Sequence, residues 1–135
     1  MQNLPRGIRN NNPLNIRSSS IQWQGKITEN TDGTFEQFIS LEYGLRAGLV
    51  NIRTYIKRDR LDNISVIIPR WAPALDGNDV RAYVRLVSNK SGVPATRRLS
   101  YNDRYELCRI VWAMAWVECG QEISFSTVEK AWALI

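Results

Sequence analysis

The chain has 135 residues, 44% of them hydrophobic and 23% charged, which is enough for one domain with its own core and is not the composition of a disordered chain. Its formal charge is +5, so nucleic acid, an anionic membrane face and an acidic cell wall are all permitted partners. It contains no histidine, which removes the commonest general base, a usual zinc ligand and every Ser-His or Cys-His nucleophile pair, leaving acid–base chemistry to carboxylates, Tyr, Lys or Cys.

The first forty residues are polar and broken by Pro5 and Pro13. Short stretches at Leu14 to Arg17, Gln22 to Thr28 and Thr34 to Ile39, with an Asp32-Gly33 turn signal, predict loops and a small, partly irregular β-sheet. From Ser40 the pattern becomes helical. Ser40 is placed to cap a helix whose apolar positions Leu41, Leu45, Leu49, Ile52 and Ile56 recur at the helical period, with Glu42 in its first turn complementing the dipole. A short helix is expected from Asn63 to about Ile68, stopped by Pro69. Asn78 is placed to cap a third helix with Val80, Tyr83, Val84 and Val87 on its apolar face, and Gly92 ends it.

The fourth helix is expected from about Asn102 to Cys119, capped by Ser100 or Asn102 and closed by Gly120. Leu107, Ile110, Val111 and Met114 make one stripe and Cys108, Trp112 and Trp116 a second, so most of its circumference wants burial and it is the expected central helix. A last helix from Ser126 would pack Val128, Ala131, Trp132 and Ile135. The expected fold is α+β, one domain over residues 1–135 with a mostly helical body and a small N-terminal β-lobe.

The longest apolar stretch, around Ile110 to Val117, is far too short to span a bilayer, and no basic segment followed by an apolar run opens the chain. The expectation is a soluble protein made in the cytoplasm without a signal peptide, carried to any target outside by a holin, a virion or a secretion machine. Cys108 and Cys119 stand eleven positions apart on one expected helix, about three turns, too far to pair; free thiols and a reducing compartment follow.

Glu118 is the leading candidate for chemistry. It lies four residues after Met114 and seven after Val111, within the stripe that must face a core or a cleft. It also sits in the last helical turn, where the dipole disfavours negative charge. Partial burial and the dipole both raise a carboxyl pKa, and a carboxylic acid held protonated near neutral pH is what glycoside cleavage requires. The competing reading is a frayed helix end, with Glu118 in water or paired with Arg6 or Arg9.

The run Arg9-Asn10-Asn11-Asn12-Pro13-Leu14-Asn15-Ile16-Arg17 concentrates amides, which donate and accept and so suit sugar hydroxyls and N-acetyl groups. Asn10, Asn11, Asn12 and Asn15 are therefore substrate-binding candidates, although Asn in turns often satisfies only its own backbone. Trp23 and Trp71 offer flat faces for sugar rings, against the common fate of tryptophan as core. Arg70-Trp71-Ala72-Pro73, running into Asp76-Gly77-Asn78-Asp79, reads first as a packed corner. Asp32 and Glu36 are the β-lobe carboxylates available as a second acid or base, though turn aspartates are usually structural. No phosphate loop, metal-ligand cluster or zinc spacing is present, so neither a metal nor another cofactor is expected.

Taken together, Arg6-Gly7-Ile8-Arg9-Asn10-Asn11-Asn12-Pro13-Leu14-Asn15-Ile16, Trp23-Gln24-Gly25, Phe35-x-x-Phe38, Gly44-Leu45-Arg46-Ala47, Arg70-Trp71-Ala72-Pro73, Tyr83, Gly92-Val93, Ala113-Met114 and Glu118-x-Gly120 resemble a family of small phage and prophage proteins. These are described as virion structural or lysozyme-like proteins. The family's closing motif, His-Glu-Asn-Gly, stands here as Val117-Glu118-Cys119-Gly120, keeping Glu and Gly. A more distant similarity links Ala113 to Gly120 with the helix end bearing the catalytic Glu of lysozyme-like transglycosylases and glucosaminidases, and Asn11 to Arg17 with the Asn-Asn segment of their β-lobe. In those enzymes the Glu helix comes first, so the match requires a circularly permuted order.

The resemblance implies a lysozyme-like domain in which Glu118 acts first as acid and then as base across a sugar-binding cleft, with Tyr83 in the substrate-binding set. A transglycosylase of that kind needs no second carboxylate, whereas hydrolysis favours one, with Asp32 or Glu42 as candidates. The expected function is a muramidase or lytic transglycosylase acting on peptidoglycan at the bacterial cell wall, working free or with other virion or injection-machinery proteins. The rivals are a non-catalytic virion or wall-binding module of the same fold and a nucleic-acid-binding protein. The last is disfavoured because the arginines are scattered along the chain rather than grouped on one helix face.

Overall fold

A computed structural model describes residues 4–135 as six helices connected by loops. In chain order these are α1 (Arg6–Arg9), α2 (Leu41–Asp59), α3 (Ile64–Trp71), a 3-10 turn (Ala74–Asp76), α4 (Val80–Ser91), α5 (Arg104–Cys119) and α6 (Phe125–Ala133). The α+β expectation is corrected: among the described residues the fold is all-helical, with 54% in helices, 3% in bridge positions and no sheet. Where a β-lobe was expected, the described residues carry two isolated antiparallel bridges, Arg17 with Phe35 and Lys26 with Phe38.

The physical reason lies in the side chains of that segment. Asn11 and Asn15 take left-handed backbone angles, φ 52° and 53°, a region that Asn tolerates better than most residues and that interrupts an extended strand. Asn12 is fully buried and closes a local ring: its Nδ2 donates to the carbonyls of Ile16 (2.9 Å) and Glu36 (3.0 Å), and its Oδ1 accepts from Ile16 N (3.0 Å). The Asp32-Gly33 turn exists, with Gly33 at φ 86°, but it joins no ladder. Instead Asn30 Oδ1 accepts from Asp32 N and Gly33 N, Asp32 Oδ2 accepts from Thr34 N and Phe35 N, and Gln37 Oε1 accepts from Thr31 N. Polar side chains thus take the place of strand partners.

The helical body follows the periodicity more closely. Ser40 caps α2 by accepting from Tyr43 N, Glu42 lies in the first turn, and Arg60 ends the helix in a left-handed conformation at φ 56°. Helix α3 runs two residues past the expected stop. Pro69 lies inside it with its ring exposed, so the missing N–H deprives only the first-turn carbonyl of Ser65 of its helical partner. The cap of α4 is Asp79, which accepts from Ala82 N; the expected Asn78 instead donates to the Pro73 carbonyl. At α5 neither Ser100 nor Asn102 is the cap: Asp103 holds that position, and its carboxylate accepts from Ser100 N. The last helix begins one residue early, at Phe125.

Helix α5 is central, packing against α1, α2, α4 and α6. Leu107, Cys108, Ile110, Val111, Ala113, Met114 and Ala115 are buried on it, and they join Leu45, Leu49 and Ile52 of α2, Ile64, Ile67 and Ile68 of α3, Val87 of α4 and Val128 of α6 in one core. The N-terminal segment contributes Leu14 and Phe38 to the same core, which fixes that segment against the helices. Cys108 and Cys119 are both buried free thiols. Among the described residues, no helix is long and apolar enough to cross a membrane.

Candidate functional site

The site begins with two glycines on α2. A Cβ at Gly44 would collide with the Asn11 carbonyl, and one at Gly48 with the Leu14 side chain. Their absence lets the Asn11–Leu14 stretch lie directly on the helix. Further along the same face, at positions 51 and 55, Asn51 and Tyr55 emerge beyond the covered stripe and line a cleft of about 330 Å³. Leu14, Asn15, Ile16, Arg17 and Phe35 of the N-terminal segment form one side of it. Trp71 and Ala72 at the end of α3, then Asp76 and Asn78, form another, and Glu118 from the last turn of α5 completes it.

Glu118 is half-buried. Its Oε2 accepts from the Tyr83 hydroxyl at 2.8 Å, and Asn15 Nδ2 donates both to its Oε1 at 3.4 Å and to its main-chain carbonyl at 3.2 Å. Tyr83 is buried and projects from α4, whereas the left-handed backbone of Asn15 turns its amide toward the end of α5. Gly7 allows the closeness: a Cβ there would lie 3.1 Å from Asn15 Oδ1 and 3.3 Å from Cys119 Cβ. The last turn of α5 carries no basic residue, and Arg6, one of the partners considered for Glu118, pairs with Asp32 instead. Among the described residues no ion pair involves Glu118.

Burial pushes the Glu118 carboxyl above its ordinary value, while donors on Tyr83, Asn15 and Trp71 pull it back. The helix end acts in the same direction as burial. Burial and the neighbouring carboxylate push the Tyr83 phenol well above its own ordinary value, so at neutral pH it is a donor. The arrangement therefore offers a carboxyl that retains a proton unusually well, held in orientation from two sides, at the wall of an open cleft. Tyr55 and Trp71 meet edge to face at 6.5 Å and supply an aromatic wall, while Asn51 and Asn78 supply amides.

Of the residues singled out in the sequence, Glu118, Asn15 and Trp71 meet at the cleft, and Tyr83 stands behind Glu118. The others are placed elsewhere. Asn10 is buried, donating to Asp32 Oδ1 and accepting from Gln37 Nε2; Asn11 donates to the Phe38 carbonyl; and Asn12 closes the ring described above. Trp23 packs half-buried against the core. Asp32 accepts from Arg6 Nε (2.7 Å) and Nη2 (2.8 Å) as well as from Asn10 and two backbone amides, which holds its carboxyl far below the usual range. Glu36 is fully buried, 3.1 Å from Lys26 Nζ and 3.2 Å from Ser19 N. Neither these two carboxylates nor Glu42 lines the cleft.

Asn51, Tyr55, Asp76 and Asn78 line the cleft but are not among the site candidates that the sequence offers. The signal for the first two was present: Gly44, Gly48, Asn51 and Tyr55 recur at helical spacing on one face, a small-residue stripe ending in a polar and an aromatic side chain. Asp76 and Asn78 were noted within the Arg70–Asp79 corner, and only folding turns that corner toward Glu118. Among the described residues no group of three His, Cys, Asp or Glu side chains gathers as a metal site.

No family model matches the chain. It is similar to Protein P5 of Pseudoalteromonas phage PM2, 44% identical over 98 residues that cover 70% of this chain and 61% of that protein. The chain thus spans less than two thirds of the phage protein's length.

Proposed function

We propose that this protein cleaves glycosidic bonds in the glycan strands of peptidoglycan, with Glu118 as its acid–base group. The observation that carries the reading is the state of Glu118: a half-buried carboxyl with a raised pKa and no cationic partner among the described residues, at the wall of a cleft lined by amides and aromatic rings. Cleft walls of that composition suit sugars, whose ring faces stack on aromatics and whose hydroxyl and N-acetyl groups pair with amides.

In this reading protonated Glu118 gives its proton to the leaving glycosidic oxygen as the bond to the anomeric carbon breaks, and the resulting carboxylate then accepts a proton from the incoming nucleophile. Tyr83 and Asn15 are positioning residues that fix the carboxyl without neutralising it. Where the nucleophile is the sugar's own 6-hydroxyl, one carboxylate suffices and an anhydro end forms. Where it is water, Asp76 is the second carboxylate that the cleft wall provides, in place of Asp32. Likeness to a phage protein supports delivery to the wall with a virion or at lysis.

Incubation of the purified protein with peptidoglycan sacculi, followed by mass analysis of the soluble fragments, tests the reading. Release of disaccharide-peptide fragments is expected, with masses that separate reducing from anhydro ends. Intact sacculi after exposure to folded protein would overturn it and favour a non-catalytic virion or wall-binding protein.

A further inference from the structure

On the surface several cations pair with an acid. Arg6 pairs with Asp32, Arg58 and Arg70 with Asp59, Lys90 with Glu122, Arg97 with Glu106, Arg98 with Asp62 and Arg104 with Glu129. One groove of about 260 Å³ gathers three cations that do not. Arg46, Arg53 and Lys57 line it together with Val50, Thr54, Tyr101 and Ile135, and none of the three cations is in an ion pair among the described residues. Glu42, one helical turn before Arg46, makes no such pair either.

These cations are held by neutral groups. Arg53 donates through Nε to the Tyr101 carbonyl at 2.9 Å and through Nη2 to Asn102 Oδ1 at 3.2 Å, and its guanidinium lies 5.0 Å from the Trp132 ring and 5.7 Å from the Tyr101 ring. Arg46 donates through Nε to the Leu134 carbonyl at 3.2 Å, and Lys57 Nζ sits 4.9 Å over Tyr101. Carbonyl acceptors and ring faces fix the side chains without cancelling their charge. The positions 46, 53 and 57 fall on one face of α2, opposite the 44, 48, 51 and 55 face that leads to the cleft, at about 3.6 residues per turn.

We propose that the Arg46–Arg53–Lys57 groove is a binding site for phosphate groups, separate from the Glu118 cleft and independent of the reaction proposed there. Guanidinium forks match phosphate oxygens in geometry and a lysine adds a mobile donor. Trp132 and Tyr101 already engage the cations, so the groove offers charge rather than free stacking faces, which favours phosphate itself over a nucleobase. A free phosphorylated molecule and an anionic lipid headgroup both carry that chemistry.

The test titrates inorganic phosphate and pyrophosphate at constant ionic strength, following amide and arginine side-chain NMR shifts, and measures sedimentation with vesicles of phosphatidylglycerol and phosphatidylcholine. Three forms are compared: wild type, Arg46→Gln/Lys57→Gln, and Arg81→Gln/Arg85→Gln, which removes the same charge from exposed positions on α4. Saturable shifts confined to the groove, with affinity reduced about tenfold or more only in the first variant, are expected. Retention by phosphatidylglycerol vesicles as well would identify a headgroup as the source, and binding of the soluble anions alone a free phosphate. Equal losses in both variants would show only general charge attraction and overturn the proposal, as would an absence of saturable shifts in folded wild type. The Arg46→Gln/Lys57→Gln form keeps Arg53, whose bonds hold the loop at Tyr101, and an unchanged amide spectrum away from the groove verifies its fold.

Discussion

Glu118 combines two properties that usually exclude one another: it is withdrawn from water, yet a cleft reaches it. Its raised pKa means that the folded chain holds this proton to higher pH than the unfolded chain does. The linked stability is therefore complete below the ordinary glutamate range and declines as pH rises through that range to the raised folded value. Glu118→Gln removes the decline. Melting temperatures of variant and wild type, measured from about pH 4 to about pH 7, are expected to diverge in the variant's favour as pH rises, whereas a constant difference would mean that Glu118 is not perturbed. Tyr83→Phe addresses the same carboxyl from its partner. The phenol donates to Glu118 and favours the charged form, so its removal raises the carboxyl's pKa further. Because the acid must be protonated to act, the alkaline limb of the pH–activity profile is expected to move to higher pH; a fall in rate with an unmoved limb would make Tyr83 purely structural.

At the scale of elements, the contact between α2 and the N-terminal segment decides whether the cleft exists. In a free helix Gly→Ala stabilises by about 1 kcal/mol. At Gly48 the new methyl meets the fully buried Leu14 side chain, and at Gly44 it meets the Asn11 main chain. Overpacking of that kind costs about 1–3 kcal/mol, so both substitutions are expected to destabilise in urea unfolding, Gly44→Ala more than Gly48→Ala because a main chain yields less readily than a leucine. Stabilisation by either would contradict the packing described here.

The same contact shows what was legible in the sequence. The helices that bury an apolar stripe, α2 and α5 above all, follow directly from their spacing, because the 3.6-residue period is local information. Glu118 stood out for the same reason, as a carboxylate inside such a stripe. In the N-terminal segment the short stretches and the Asp32-Gly33 turn signal suit a small sheet, while its actual order comes from Asn12, Asn30, Asp32 and Gln37 bonding to backbone. Which amide faces inward is a tertiary outcome. Thus Asn10, Asn11 and Asn12 serve the fold while Asn15, three residues after Asn12, reaches Glu118. The wall made by Asp76 and Asn78 was hidden likewise, since it depends on how far α3 runs past Pro69.

At the scale of the whole molecule, one core joins the N-terminal segment to the helices, so the cleft between them should open only with substantial unfolding. Cys108 provides a probe of that cooperativity. Burial pushes its thiol up to about 11 and only 1% of its surface is exposed, so alkylation near neutral pH is expected to be negligible in the folded chain and to follow global unfolding in urea. Rapid modification without denaturant would reveal a loosely packed α5.

The most direct test of the central claim compares wild type and Glu118→Gln on the same sacculi at equal protein concentration, with circular dichroism to verify equal folding. An essential acid group contributes roughly a hundredfold or more to rate, so fragment release is expected to fall by at least that factor in the variant. Equal release by two equally folded proteins would contradict the account and remove Glu118 from the chemistry.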